Sequence, residues 1–540
     1  MRDEPEVARL EGGGGEAVRL TEGGAGCRCR AESIWNVEKS QSVALAGAAR
    51  GTVRTGAFFP RASGYLWAMT LHIPFDNSYA RLPGAFYTKL KPATVAQPSL
   101  VAFNEALAAE LGISGTDDPR LAPVFAGNVL PEGADPLAQI YAGHQFGGFS
   151  PQLGDGRAHL LGEVVDKAGI RRDIQLKGSG PTPYSRRGDG RAWLGPVLRE
   201  YVVSEAMHAL SVPTTRALAA VRSGEDILRE RPLPGAVLTR VAQSHIRVGT
   251  FQLFSSRGQY DELQTLYDYT VARHYPGVTS PDELLARVCE RQAALVSQWL
   301  SLGFIHGVMN TDNCTLSGET IDYGPCAFMD RYDPNQVFSS IDRYGRYAYS
   351  AQPDIIVWNM AQLATALVPL MPDADDGVKV FTEIVHGMAD LLRAEWLKRF
   401  AAKIGISAPE AQDAALIAEL LELMHKGQAD FTNTFRALLE DGARDQVTDR
   451  EAFDGWEARW RERIEDEPDP EGLMRRSNPA FIPRNHRVEQ MIAAAVEGDE
   501  RYFHHLNAVL ARPYDDQPEA EELRRPPTED EIVPATFCGT

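Results

Sequence analysis

Short runs of alternating apolar and polar residues dominate the chain up to about residue 250, and long stretches with apolar residues three and four apart dominate it afterwards. The first period belongs to strands and the second to amphipathic helices. In the first part 157–165 alternates as a strand, 166–169 supplies a turn, and 170–178 reads as the next strand. A helix is predicted over 193–210, where Leu194, Val197, Leu198, Tyr201 and Val202 share one face. Two further strands are expected at 215–223 and 236–244. The later spacing predicts a helix over 281–303, opened by Pro281 and closed by Gly303, and others at 354–371, 377–403, 409–425, 428–440, 452–464 and 486–512. The order describes an α+β chain, with a strand-rich part at 69–250 and a helical part at 251–512 facing each other across a cleft.

Both ends read differently. Residues 1–68 are glycine-rich and of mixed charge with no apolar period, which reads as disorder, or as a non-native extension ahead of a true start at Met69. Cys27 and Cys29 form a lone Cys-x-Cys without further ligands and read as incidental. Residues 513–540 are acidic and proline-containing, and read as a flexible tail carrying Cys538.

Composition narrows the class. A hydrophobic share of 44% and a charged share of 24% are ordinary for a soluble globular protein. The net charge of −19 argues against a nucleic-acid binder, whose footprint is a basic face. Six cysteines are too few for a disulfide framework, so a reducing, cytoplasmic setting is expected. No apolar run reaches the roughly 18–20 residues of a membrane helix. The expected state is a monomer with no membrane partner.

The chemistry begins in HGVMNTDNCTLSGETIDYGP, residues 306–325. A kinase catalytic loop runs His-x-Asp-x-x-x-x-Asn, and a later Asp-x-Gly holds metal. Here Val308 stands where the catalytic base belongs, Asn313 stands at the asparagine, and Asp322-Tyr323-Gly324 follows. Asn313 and Asp322 are oxygen ligands suited, with bound phosphates, to Mg²⁺ or Mn²⁺. Asp312 is the carboxylate near enough in sequence to replace the missing base. His306 and His144 read as structural, and Cys289 and Cys314 as small buried apolar residues.

Upstream, Gly154 and Gly156 in 152-QLGDGR-157 would let backbone amides approach phosphates. Lys177 ends the next strand, where a kinase keeps its phosphate-binding lysine, and Glu200 lies on the first helix, where its carboxylate partner belongs. Glu205 on the same helix competes for that role. Residues 171–199 carry seven basic residues against two acidic ones, a local positive charge fit for a polyphosphate. Arg240 and Arg247 add to it. Loop, lysine strand, glutamate helix and metal loop in this order predict a protein-kinase-like bilobal fold, with a strand-rich N-lobe and a helical C-lobe.

At this point the chain resembles the selenoprotein O family of protein adenylyltransferases, kinase-like pseudokinases. The resemblance runs from about 70 to 510 and rests on YAGHQFGGFSPQLGDGRAHLLGE, DIQLKGSGPTPYSRRGDGRAWLGPVLREY, RVAQSHIRVGTFQ, HGVMNTDN, DYGPCAFMDRYDP, GRYAYSAQP and NPAFIPRNHRVEQMI. It implies that ATP binds in the sense opposite to a kinase, so that AMP rather than phosphate passes to a Ser, Thr or Tyr hydroxyl of a protein substrate. It implies nucleotide contacts from Gly154, Gly156, Arg157, Lys177, Asp189, Gly190, Arg240 and Arg247. Glu200 would hold Lys177, Asn313 and Asp322 would hold Mg²⁺, and Asp312 would be the base. A bulky cation at Arg157 would obstruct ordinary adenine placement yet suits a phosphate. The family's cysteine near the C-terminus is matched by Cys538, whereas 333–342 lacks the cysteine some members carry there, and Cys326 lies nearby but not at that place. A regulatory disulfide is therefore not expected. Three readings compete with AMP transfer: a kinase-type transfer of the γ-phosphate, UMP transfer from UTP, and a silent nucleotide-binding scaffold.

Overall fold

The alternation at 157–178 forms the middle of an antiparallel sheet in the computed structural model, which describes residues 70–440 and 442–537. The expectations for residues 1–68, Met69, Cys27, Cys29 and Cys538 lie outside the described residues. Strands β1 (Tyr87–Lys89), β2 (Ser99–Phe103) and β3 (Leu137–Gln139) come first, followed by a separate two-stranded hairpin, β4 (Gly143–Gln145) and β5 (Gly148–Ser150). Next are β6 (Ala158–Val165), β7 (Arg171–Lys177), β8 (Ala192–Trp193), β9 (Arg216–Leu228) and β10 (Pro232–Ala242). The large sheet runs β1-β3-β6-β7-β10-β9-β2, with β8 beside β10. In β7 the register sets Lys177 opposite Ala158 of β6 on one side and Leu238 of β10 on the other, at the end of the strand nearest the glycine loop.

The short helices α1 (Glu105–Glu110) and α2 (Leu121–Phe125) cover one face of this sheet, where Leu107, Phe125, Ile174, Leu176 and Val241 share a core. Helix α3 (Leu194–Ala209) is buried almost all round. The helical part contributes α4 (Val248–Ser256), α5 (Tyr260–His274), α6 (Pro281–Leu302), α7 (Gln352–Leu367), α8 (Ala374–Lys403), α9 (Asp413–Gly427), α10 (Phe431–Ala437), α11 (Arg450–Ile464), α12 (Pro470–Ser477), α13 (Asn485–Val496) and α14 (Arg501–Leu510). Between α6 and α7 lies a two-stranded ladder, β11 (Phe304–Ile305) with β12 (Ala327–Phe328). It brackets the loop that carries Asp312 and Asp322. No helix among the described residues is long and apolar enough to cross a membrane.

Three features depart from the sequence expectations. The helix expected over 486–512 is two helices, because the chain turns at Gly498. Those two helices do not stay with the helical part. Val488, Met491, Phe503 and Leu506 share a core with Leu198, Tyr201 and Val202 of α3, and Tyr201 meets Phe503 edge to face at 5.4 Å. Arg199 donates to Asn485 and pairs with Glu489, so α3 is held from the C-terminal side. The third departure is the acidic tail, which is seated on the body as far as Phe537. Arg436 donates to Asp516 at 2.5 Å, the Thr536 hydroxyl donates to the Pro325 carbonyl at 2.6 Å, and Thr536 bridges to Ser339. Composition registers the tail's charge but not the buried guanidinium of Arg436 that receives it.

One buried cation stands out in the helical part. Lys403 is buried at the end of α8, its ammonium 4.2 Å from the Phe435 ring and 5.5 Å from Phe431, with no carboxylate ion pair among the described residues. Burial pushes its pKa down to about 7. The unfolded chain holds this proton up to about pH 10.4, so between pH 7 and 10.4 the unfolded state binds more protons and stability rises with pH. Lys403→Met is expected to raise the unfolding free energy by about 3 kcal/mol at pH 7, with a gain that shrinks as pH approaches 10. Urea unfolding of both proteins at pH 7, 8.5 and 10 checks this; a gain independent of pH would mean that the charge is not what destabilises the site.

Candidate active site

A cleft of about 670 Å³ collects most of the residues singled out from the sequence. Gly154, Gly156, Arg157, Lys177, Asp189, Gly190, Arg240, Arg247, Asp312, Asn313 and Asp322 all line it. They arrive from the glycine loop before β6, the end of β7, the loop before β8, β10, the start of α4 and the loop after β11.

The centre is a four-residue ion cluster. The Lys177 ammonium donates to Glu200 Oε2 at 2.6 Å and to Asp322 Oδ1 at 2.7 Å. Arg240 donates to Asp322 Oδ1 at 2.8 Å, to Glu200 Oε1 at 3.3 Å and to Gln175 Oε1 at 2.7 Å. Burial by itself would raise the Asp322 carboxyl, but Lys177, Arg240 and Arg247 outweigh it and hold the group well below the usual carboxylate range. Asp322 takes a left-handed backbone (φ +64°), which is uncommon for a residue other than glycine or asparagine. The two helix carboxylates left open by spacing are separated by geometry. Glu205 is taken by Arg216 at 2.8 and 2.9 Å and by the Ala217 amide, leaving Glu200 as the partner of Lys177.

Asp312 sits beside the cluster. Its Oδ2 accepts from the Gln145 amide at 2.9 Å, while its buried Oδ1 has no partner. Burial raises its pKa to about 6, against the opposing hydrogen bond from Gln145. A carboxylate with one oxygen fixed and the other unpartnered, ionised above about pH 6, has a pKa suited to accepting a proton near neutrality. Asn313 donates its side-chain amide to the Val308 carbonyl at 3.0 Å, which turns its own oxygen away from that bond. His306 is buried, bonded to the Ile321 carbonyl at 2.8 Å and stacked on Trp299, and His144 is bonded to Gln252 at 2.8 Å. Neither lines the cleft. Cys289 and Cys314 are buried.

The glycine loop is tightly built. A Cβ on Gly154 (φ +146°) would stand 2.5 Å from the Tyr184 ring, so only glycine fits there. Between the two glycines, buried Asp155 accepts from the Gln139 amide and the Gln175 side chain, both at 3.1 Å, and lies 3.7 Å from Arg247. Arg247 also stacks on Tyr141 at 4.3 Å and donates to the His245 carbonyl. At the far end, Gly190 (φ +68°) presses on the Gly180–Pro181 backbone, where a side chain would collide. Its neighbour Asp189 is gripped by Arg229 at 2.7 and 3.2 Å and by the Arg191 amide at 2.9 Å. Burial works against the Asp189 charge, but these donors lower its pKa overall.

Sequence reasoning missed Gln145, Asp155, Tyr141 and Arg229. Asp155 was in plain view between the two glycines, in a loop read only for its backbone. Gln145 and Arg229 carried no local signal, because their partners lie 167 and 40 residues away.

Among the described residues no three His, Cys, Asp or Glu side chains come together to hold a metal unaided. Asn313 and Asp322 instead offer an amide oxygen and a carboxylate oxygen, Oδ2, that neither Lys177 nor Arg240 occupies. An oxygen pair of this kind fits a hard divalent cation that completes its shell with phosphates and water.

Comparison with known proteins identifies the family. The family model described as protein adenylyltransferase SelO matches residues 69–511. A Ruegeria pomeroyi protein named protein nucleotidyltransferase YdiU is 65% identical over 472 residues, covering 87% of this chain and all of that protein. Proteins of the same name from Jannaschia sp. and Rhizobium meliloti are each 56% identical, over 475 and 486 residues, covering 86% of this chain and 99% of theirs.

Proposed function

The chain belongs to the protein adenylyltransferase SelO family, and from that premise we propose that this cleft binds ATP with its α-phosphate turned towards Asp312 and transfers AMP to a protein hydroxyl. The protein is a protein nucleotidyltransferase. The finer assignments that follow are part of the proposal. The observation that carries them is the pairing of the Lys177–Glu200–Asp322–Arg240 cluster with an unpartnered Asp312 oxygen in the same cleft.

In this reading Gly154, Gly156 and Arg157 receive phosphate oxygens, Lys177, Arg240 and Arg247 neutralise them, and Asp189 with Gly190 meets the nucleoside end. Glu200 fixes Lys177. Asn313 and Asp322 would hold Mg²⁺ or Mn²⁺, which when bound neutralises charge on the phosphates. The acceptor oxygen attacks the α-phosphorus, the bond from that phosphorus to the bridging oxygen breaks, and pyrophosphate leaves. The hydroxyl proton passes to the Asp312 carboxylate. Arginines concentrated on the phosphates stabilise the charge that develops there. A protein-kinase-like arrangement of a strand-rich lobe (69–250), joined by α13 and α14, and a helical lobe that begins at 251 belongs to the same proposal. Its support is the division of labour in the cleft: sheet and α3 bring Lys177 and Glu200, and the loop after β11 brings Asp312, Asn313 and Asp322. A cytoplasmic monomer remains the working expectation.

Parallel reactions with α-labelled and γ-labelled ATP, Mg²⁺ or Mn²⁺ and a protein extract test the reading. Label is expected in protein from the α-position alone. Label from the γ-position alone would make the protein a kinase with a displaced base, and preference for α-labelled UTP would move the reaction to UMP transfer.

A further inference from the structure

Exposed large apolar side chains gather at the Asp312 end of the cleft. Among the described residues the exposed phenylalanines are Phe146, Phe149 and Phe537. Phe146 and Phe149 belong to the β4–β5 hairpin, whose Gln145 holds Asp312. The hairpin tip rests on the loop around 341–347, since the Phe146 amide donates to the Tyr347 hydroxyl and the two rings lie 5.1 Å apart. That loop exposes Ile341 (56%) and Tyr344 (98%). The seated tail joins the same loop, because the Thr536 amide donates to the Phe338 carbonyl and the Ser340 amide to Thr536, which leaves Phe537 70% exposed beside it. Three segments distant in sequence thus converge to form one apolar rim, and two of its members, Phe146 and Ile341, line the cleft itself.

Exposed apolar side chains gathered at the mouth of a cleft mark an interaction site in a water-soluble fold. We infer that this rim docks the acceptor protein, as an extended segment in which the hydroxyl residue has an apolar neighbour. The inference rests on the transfer reading above. Two observations select this occupant. The rim reaches into the cleft through Phe146 and Ile341, and Asp312, which an incoming hydroxyl has to approach, lines the same cleft. In addition, among the described residues β5 pairs only with β4, so its outer edge offers backbone groups to an added strand. One hairpin would then hold both the base, through Gln145, and the acceptor backbone, through β5. The apolar neighbour of the hydroxyl residue would settle against Phe149, Ile341 and Tyr344.

The test uses the full-length protein with α-labelled ATP and matched synthetic peptides. A central Tyr, Ser or Thr is flanked either by Leu and Phe or by Gly and Asn. The apolar-flanked set is expected to show at least a tenfold higher kcat/KM. A Phe149→Ser/Tyr344→Ser double variant is expected to cut that advantage below threefold through peptide KM, with ATP affinity and melting temperature at wild-type values. Equal labelling of both sets, or an advantage that survives in the variant, overturns the inference. A wild-type dimer that the double variant dissociates in sedimentation would assign the rim to a second copy and overturn it as well. Label entering an extract but no peptide rejects short-segment docking while leaving AMP transfer intact; label entering neither rejects the transfer reading itself.

Discussion

Asp322→Ala is expected to abolish α-label transfer, by at least about a thousandfold, without weakening metal-free nucleotide binding. The two effects separate for an electrostatic reason. Asp322 Oδ1 compensates both Lys177 and Arg240. Removing it leaves Lys177, Arg240 and Arg247 facing the cleft with Glu200 as their nearest counter-charge, a setting no less attractive to a triphosphate. What is lost is the carboxylate oxygen offered to a divalent cation, and with it the charge neutralisation that the departing pyrophosphate needs. Calorimetry of ATP binding with and without Mg²⁺, beside the labelling assay, reads both effects. Because Arg240 is buried and would lose one of its partners, Asp322→Asn serves as the volume-conserving control. Transfer within tenfold of wild type in both variants would remove Asp322 from the reaction.

Asp312→Asn is the second large expectation: a fall in kcat of about a hundred- to ten-thousandfold, with nucleotide affinity unchanged. Asparagine keeps the size of the side chain and an oxygen near Gln145, but cannot take a proton. The pH profile gives a second readout. With its pKa raised by burial to about 6, Asp312 is ionised and competent above that value and becomes protonated below it. The wild-type rate should therefore fall as pH drops through about 6, and the residual rate of the variant should lack that acid limb. A variant that keeps the same acid limb would place the base elsewhere.

Much of the cleft's lining could be read from the chain because its parts are local. The glycine loop, Lys177, α3 with Glu200, and the Asp312–Asn313 and Asp322 loop each sit in a short stretch whose period or turn chemistry is self-evident. Their order along the chain carries the functional class. What could not be read locally was every choice between chemically equal residues. Glu200 and Glu205 share one helix, and Arg216 and the Ala217 amide of β9 decide between them by taking Glu205. The tail after 513 has the composition of a solvated segment, yet it is bound by Arg436, Pro325 and Ser339, groups supplied by distant elements. Helices α13 and α14 have the same apolar period as their predecessors, and only packing sends them to α3.

The sequence by itself thus determined the elements, the order of the site's parts and the family, because periodicity and motif spacing are properties of neighbouring residues. The tertiary structure alone decided which carboxylate meets Lys177, which oxygen of Asp312 stays unpartnered, and where the apolar rim gathers. Those outcomes depend on burial and on partners tens to hundreds of residues away, and neither quantity exists until the chain has folded.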